Sequence, residues 1–425
     1  MNTIRLGIAG LGTVAQGVLD IIARNGDSIA QRSGVRLRPV RVASRTARPE
    51  VDLLGAQFST DLADLHTDPE VDVVVELIGG ETHAADLIVA AVAADKAVVT
   101  ANKAVIAARG DELLHGDEAS PALYFEAAVA GAIPIIEAIR SGLAANQFNH
   151  VIGIINGTSN YILTAMTEQG AAFDAALARA QELGYAEADP TFDVEGIDAA
   201  HKLTILLALA FDLPFDFSKL YVEGIRNIAP ADISYATELG YAIKHLGIAR
   251  RVAGDAGGVE ARVHPTLVPQ EQLLANVNDV MNAVLVQSDA AGDTLFSGPG
   301  AGGLATASAV VADILKVVTQ TQGPREASAA TLRVLPIEAV VCPHYLRIHT
   351  VDKPGVFAQV ANALSSHGIS IEAAIQKQPE EGQDSADIVI VTQQVPEAEI
   401  MAAVAELEQL PQVLDIARIR IEPMH

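Results

Sequence analysis

Residues 6–17 read LGIAGLGTVAQG, and the fold of the N-terminal part of the chain turns on them. Residues 3–9 form a short β-rich run, and from Val14 to Arg24 apolar positions recur at helical spacing. Between the two stands Gly10-x-Gly12-x-x-Ala15, so the glycines occupy a strand-to-helix turn. At such a turn the first glycine permits the tight bend. The second lets backbone approach a pyrophosphate, and a small third residue lets helix and strand pack closely. The helix start then turns unpaired N–H groups toward phosphate. Gly10, Leu11, Gly12, Thr13 and Val14 are the expected contacts of a dinucleotide, and a glycine-rich turn in an unliganded α/β domain is the alternative.

Working outward, Val35 to Ala43 reads as a second strand weakened by Pro39, and Val71 to Leu77 as a strand buried on both faces. Helical stripes over 83–94 and 104–114 and strands at 97–100 and 122–126 follow. Alternation of this kind predicts an α/β, doubly wound parallel sheet of Rossmann type over residues 1–132. Where a reader of NAD carries an acid after the second strand, this chain has Ser44, Arg45 and Arg48. Guanidiniums suit a 2′-phosphate, so NADP is favoured over NAD, with a solvated loop as the alternative. The GPGAGG run at 298–303 lacks the Lys and Ser/Thr of a triphosphate loop. It reads either as a backbone approach to the cofactor, through Gly303, or as a plain turn. The helix after it, 304–320, is expected to close the first domain.

Residues 133–303 read as an α+β catalytic and dimerisation domain, with helices over 133–143, 158–169, 173–183 and 195–211 and a β-rich stretch over 246–289. Residues 321–342 read as a linker, and 343–425 follow the order βαββαβ, a ferredoxin-like unit. The densest chemistry lies in ALARAQELGYAEADPTFDVEGIDAAHKLTILLALAF, where Glu187, Asp189, Asp193, Glu195, Asp198 and Lys202 precede an apolar helix. Glu195, Asp198 and Lys202 are spaced i, i+3 and i+7, which predicts one shared helix face. A lysine held by an aspartate on a buried helix can serve as a proton donor; a structural ion pair is the equal alternative.

Acidic residues outnumber basic ones by 53 to 28, a formal charge of -25, which argues against nucleic acid and anionic membranes as partners. The single cysteine, Cys342, rules out an intrachain disulfide and reads as one buried thiol. No apolar run reaches membrane-spanning length, and the cytoplasm is the expected compartment. The eleven histidines form no zinc-binding spacing, and His201 reads as structural.

The pattern A-x3-G-Y-A-x2-D-P-x2-D-V-x-G-x-D-x3-K, from Ala180 to Lys202, resembles the homoserine dehydrogenase motif over its whole length. TANKA at 100–104, FEAAVAGAIPII at 125–136 and NGTSNYIL at 156–163 are similar to that family as well. The resemblance covers roughly residues 3–320 and implies interconversion of L-aspartate 4-semialdehyde and L-homoserine. It implies Lys202 as proton donor, Asp198 as its orienting group, and Glu187 and Asp193 as holders of the substrate ammonium. It further implies Lys103 at both substrate and cofactor, with Gly184 also on the cofactor. A monovalent cation, sodium foremost, is implied at the backbone of Glu126, Val129, Gly131 and Ile133. HYLRIHTVDKPGVFAQVANALSSHGISIEAAIQK resembles an ACT domain, which implies an amino-acid effector, threonine, or a dimerisation role alone. A homodimer or homotetramer is implied. Two rivals stay open here: another ACT-bearing dehydrogenase, and a non-catalytic sensor of NADP and an amino acid.

Overall fold

The first strands and helices follow one another in strict alternation: β1 (Asn2–Ala9), α1 (Thr13–Ser33), β2 (Val35–Ala43), β3 (Gln57–Ser59), α2 (Ala63–Thr67), β4 (Val73–Glu76), α3 (Thr82–Ala93), β5 (Ala97–Thr100), α4 (Lys103–Leu114) and β6 (Leu123–Tyr124). The computed structural model describes residues 2–114, 123–252, 254, 257–319, 332–377 and 384–422. The strands lie in the order β3-β2-β1-β4-β5-β6, every neighbouring pair parallel. Strand order reverses between β1 and β4, and the carboxyl ends of those strands are where such sheets bind ligands. Val73, Val74 and Val75 are at most 1% exposed, which is why β4 shows no polar alternation. Pro39 sits where the β1–β2 register slips, a bulge at which a missing N–H costs little.

Two compact units alternate along the chain: Met1–Val151, Ala200–Ser218 and Val280–Leu332 in one, and Ile152–Ala199, Lys219–Asp279 and Arg333–His425 in the other. In the first, the hairpin Met281–Ser288/Gly292–Pro299 leads into the helix Gly303–Thr319. That helix packs along α1 through a core of Val18, Ile22, Val310 and Ile314. The contact is close because Gly17 has no side chain: a Cβ there would meet the carbonyl oxygen of Gly303 at 2.7 Å. Helix α1 outruns its expected end at Arg24 and stops at Gly34, whose φ of +73° and N–H bond to Ala30 form a left-handed cap.

In the second unit, helices Gly157–Gln169, Phe173–Glu182 and Pro230–Glu238 accompany the antiparallel pair Tyr241–Arg251 and Gly258–Pro269. The C-terminal module has strand His344–Val351, helix Val356–Ser366, strands Ile371–Gln376 and Ser385–Thr392, helix Glu397–Leu407 and strand Val413–Ile421, the expected βαββαβ order. Its last strand pairs in parallel with Gly258–Pro269, at Thr266 with Arg420 and Leu267 with Ile421, so the module continues an existing sheet. Buried ion pairs hold the join: Arg420 donates to Glu397 at 3.0 Å and to Glu223 at 2.9 Å, and Arg262 donates to Glu422 at 3.2 Å. Residues 321–331 of the expected linker lie outside the described residues.

Two expectations fail locally. The helix expected over 133–143 is a single turn, Ile135–Glu137, continued by a wider turn over Ala138–Gly142, where Leu143 N–H reaches back to Ala138. The helix expected over 195–211 is Ile197–Phe211, preceded by a separate turn, Thr191–Val194. Gly196 breaks them apart at φ +83°, and a Cβ there would meet the His245 ring at 3.1 Å. Glu195 therefore leaves the face it was expected to share with Asp198 and Lys202, and accepts from Arg226 at 2.8 Å. Among the described residues no helix is long and apolar enough to cross a membrane.

Candidate active site

Gly10 turns the chain off β1 with φ +96°, its N–H bonded to Ala43 at the end of β2, and a Cβ there would meet the Leu77 carbonyl oxygen at 2.7 Å. Gly12 precedes α1 in extended conformation, with open space where a side chain would stand and no acid in the first helical turn. That combination leaves room and positive helix-end potential for a phosphate. Gly303 stands beside Thr13, where its Cβ would come within 2.7 Å of Thr13 Cγ2. The rest of the GPGAGG run is packing: a Cβ at Gly300 would meet the Asn282 amide at 2.1 Å, and one at Gly131 would meet Gly300 at 2.6 Å. Arg45 and Arg48 are exposed just beyond β2.

At the same sheet edge the Glu76 carboxylate is fully buried, accepting from Ile78 and Gly79 N–H and from the Thr100 hydroxyl at 2.5 Å. Asn102 accepts from Val105 N–H at 3.3 Å and donates to the Gly80 carbonyl at 2.6 Å, fixing the entry to α4. Lys103, half-buried, opens that helix. Neither Glu76 nor Asn102 was singled out from sequence; Asn102 could have been, as a helix-start cap within TANKA.

The Glu126 side chain does not point to solvent. It is 3% exposed and accepts from Ile136 and Glu137 N–H at 2.8 Å each, while Lys316 stands at 3.4 Å from it and 3.1 Å from Asp313. Burial pushes the Glu126 and Asp313 carboxyls up from their ordinary range. Ala130 and Gly131 follow each other at positive φ, +55° and +56°. In the turn they make, the carbonyls of Val129 and Gly131 accept no hydrogen bond among the described residues. Free carbonyls in a tight loop suit a hard monovalent cation, while the Glu126 and Ile133 carbonyls already accept from Val129 N–H at 3.3 Å and Ile135 N–H at 2.8 Å and would offer only a second lone pair.

In the second unit Asn156 caps the helix Gly157–Gln169, accepting from Ser159 N–H at 2.7 Å. Its amide nitrogen donates to Asp193 at 2.7 Å and to Asp198 at 2.8 Å. Sequence reasoning missed Asn156: the cap is legible, but its acidic partners lie 37 and 42 residues away. Asp198 is 5% exposed, and Lys202, one turn later on the same helix, is 9% exposed. Glu187 is exposed, and Gln181 donates to its carbonyl at 2.9 Å. Gly184 ends the preceding helical segment at φ +75°. His201 packs edge to face on Phe217, 4.8 Å between rings.

Cys342, His344 and Glu397 converge in the C-terminal module, with imidazole Nε2 3.6 Å from both the sulfur and a Glu397 oxygen. The trio does not suit a metal ion. Glu397 is already taken by Arg418 and Arg420, burial pushes the Cys342 thiol up to about 12, and a dication would sit among guanidiniums.

Family models for the homoserine dehydrogenase NAD-binding domain, homoserine dehydrogenase and the ACT domain match residues 10–126, 134–315 and 344–409. A homoserine dehydrogenase of Pseudomonas aeruginosa is 49% identical over the full length of both chains, and one of Neisseria gonorrhoeae 44%. The chain belongs to the homoserine dehydrogenase family. A crystal structure of a homoserine dehydrogenase from Thiobacillus denitrificans superposes with a TM-score of 0.92 at 46% identity, covering 100% of this chain and 99% of that one. A hyperthermophilic archaeal homoserine dehydrogenase in complex with NADPH covers 76% of this chain and is itself covered in full, with a TM-score of 0.64 at 26% identity. As a family member the chain is an NAD(P)-dependent oxidoreductase of amino-acid biosynthesis with an ACT domain at its C-terminal end. The rival readings, another ACT-bearing dehydrogenase and a catalytically silent sensor, are set aside by full-length likeness to homoserine dehydrogenases.

Proposed function

We propose that Lys202 is the proton donor in the NAD(P)-linked interconversion of L-aspartate 4-semialdehyde and L-homoserine. As hydride reaches the aldehyde carbon, negative charge gathers on its oxygen. An ammonium beside that oxygen steadies the charge and then supplies the proton. In the oxidative direction the neutral amine takes the hydroxyl proton. Asp198 orients Lys202, Glu187 and Asp193 take the substrate ammonium, and Lys103 serves substrate and cofactor as the second cation. The observation that carries this is the buried helical turn from Asp198 to Lys202, with Asp193 tied to Asp198 through Asn156.

The preferred cofactor is NADP, with NAD accepted less well. Arg45 and Arg48 follow β2 with no acid at the ribose position, and an archaeal relative was solved with NADPH. Gly10, Leu11, Gly12, Thr13 and Val14 receive the pyrophosphate, Gly303 borders it, and Gly184 approaches the cofactor. A sodium ion takes the backbone oxygens of Glu126, Val129, Gly131 and Ile133. Threonine is the effector of the ACT domain, the assembly is a homodimer or homotetramer, and the compartment is the cytoplasm. The test is homoserine-dependent reduction of NADP and of NAD, with and without threonine, by wild type and Arg45→Ala. The variant should lose about tenfold in kcat/KM for NADP and little for NAD, the size of one charge-assisted hydrogen bond. A wild type that prefers NAD overturns the cofactor reading, and one indifferent to threonine overturns the effector.

A further inference from the structure

We infer that Asn156 is a positioning residue for this reaction: its side-chain amide ties Asp193 to Asp198, and so sets the acid that orients Lys202 together with the acid that takes the substrate ammonium. The inference rests on the roles proposed above for those two aspartates. Asn156 is 4% exposed. Each of two carboxylates takes a bond from the one nitrogen, 2.7 Å to Asp193 and 2.8 Å to Asp198, while the amide oxygen takes Ser159 N–H at 2.7 Å. The Ser159 hydroxyl donates in turn to the backbone carbonyl of Asp193 at 3.0 Å. Side chain and main chain of Asp193 are thus both referred to the first turn of the helix Gly157–Gln169.

The chemistry admits few substitutes. Asparagine offers two donors on one atom and an acceptor on the other branch, at the reach this site needs. Aspartate would keep the shape and the cap but place a third carboxylate against two others. Serine would keep a cap acceptor and lose both amide donors, leaving one hydroxyl proton on a shorter side chain. Without the bridge, two like charges on neighbouring segments move apart, and the carboxylate that steadies Lys202 moves with them. A displacement of about 1 Å in such a group is enough to cost about a hundredfold in rate.

Asn156→Ser separates the bridge from the cap. Its NADPH affinity, read by fluorescence titration, should match wild type, and its thermal midpoint should fall by only about 2–8 °C. Its kcat should fall and its KM for homoserine should rise, each by about tenfold, the value of a hydrogen bond to a charged group. Asn156→Asp, which also keeps the cap, should lose more, and serves if the serine variant folds poorly. Adding Asp193→Asn to Asn156→Ser should cost less than the product of the two single losses, because both changes break one bridge. Wild-type kcat and KM in Asn156→Ser, or a loss that merely tracks the thermal midpoint across Ser, Asp and Ala variants, overturns the inference. If Asp193→Asn and Asp198→Asn are themselves silent, the underlying roles fail. If those two are impaired while Asn156→Ser is not, only the bridge fails.

Discussion

At the scale of single residues, the decisive arrangement is a short one. Asp198 and Lys202 are one helical turn apart, and their spacing alone placed them together. Their burial follows from the apolar run after Lys202, where Leu203 to Phe211 are almost all sealed from water. Glu195 misled for a physical reason: sequence spacing assumes continuous helix, and Gly196 at φ +83° interrupts it. Glu195 and its partner Arg226 are 40% and 48% exposed, a surface pair. Glu195→Ala should therefore keep kcat within about twofold, while Asp198→Asn should lose about a hundredfold, as when the group orienting a general acid is neutralised. Steady-state kinetics of the two variants side by side check this, and equal losses would contradict it. Asn156 escaped notice because a cap is a local signal, whereas a bridge to acids far along the chain exists only after folding.

At the scale of elements, the glycine loop, β4, and the βαββαβ module were readable because each carries its own turn chemistry, unbroken apolar run or periodicity. The stretch 133–143 was not. Its apolar positions Ile135, Ile139 and Leu143 recur at helical spacing, yet Glu126, well before it in sequence, takes the N–H groups of Ile136 and Glu137. A side chain from outside the element thus sets where its first turn begins. Element packing also explains Gly17, which periodicity treats as a weak helix residue. With the Gly303 carbonyl 2.7 Å from where its Cβ would stand, Gly17→Val must push α1 away from the helix Gly303–Thr319. We expect about 1–3 kcal/mol of destabilisation, typical of overpacking, together with weaker NADPH binding because Thr13 and Gly303 separate. Urea unfolding and a fluorescence titration test this; a variant with wild-type stability and affinity would show the contact to be soft.

At the scale of the whole molecule, the join between the C-terminal module and the strand Gly258–Pro269 is built from buried charges and histidines, which composition does not reveal. Burial holds the His344 imidazole down at about 3, and holds His245 and His264 below their ordinary value. Each prefers to be neutral when folded, so the unfolded chain binds more protons. The stability they contribute is complete above about pH 6.5 and is lost as pH falls below it. Glu397 acts in the same sense: burial raises its pKa, but Arg420 and Arg418 outweigh that and lower it, so its contribution fades as pH falls. Glu126 and Asp313, raised by burial, act oppositely and offset part of this. The midpoint of urea unfolding should fall progressively as pH drops from about 6.5 toward 5. A midpoint that rises on acidification would contradict this reading of the buried groups.

The central claim is that Lys202 delivers the proton, and turnover of Lys202→Ala tests it most directly. Homoserine-dependent NADP reduction by the variant should fall by about 10²–10⁴, the usual worth of a general acid, while NADPH affinity stays within about twofold of wild type. Turnover within a few-fold of wild type, with NADPH binding intact, would contradict it.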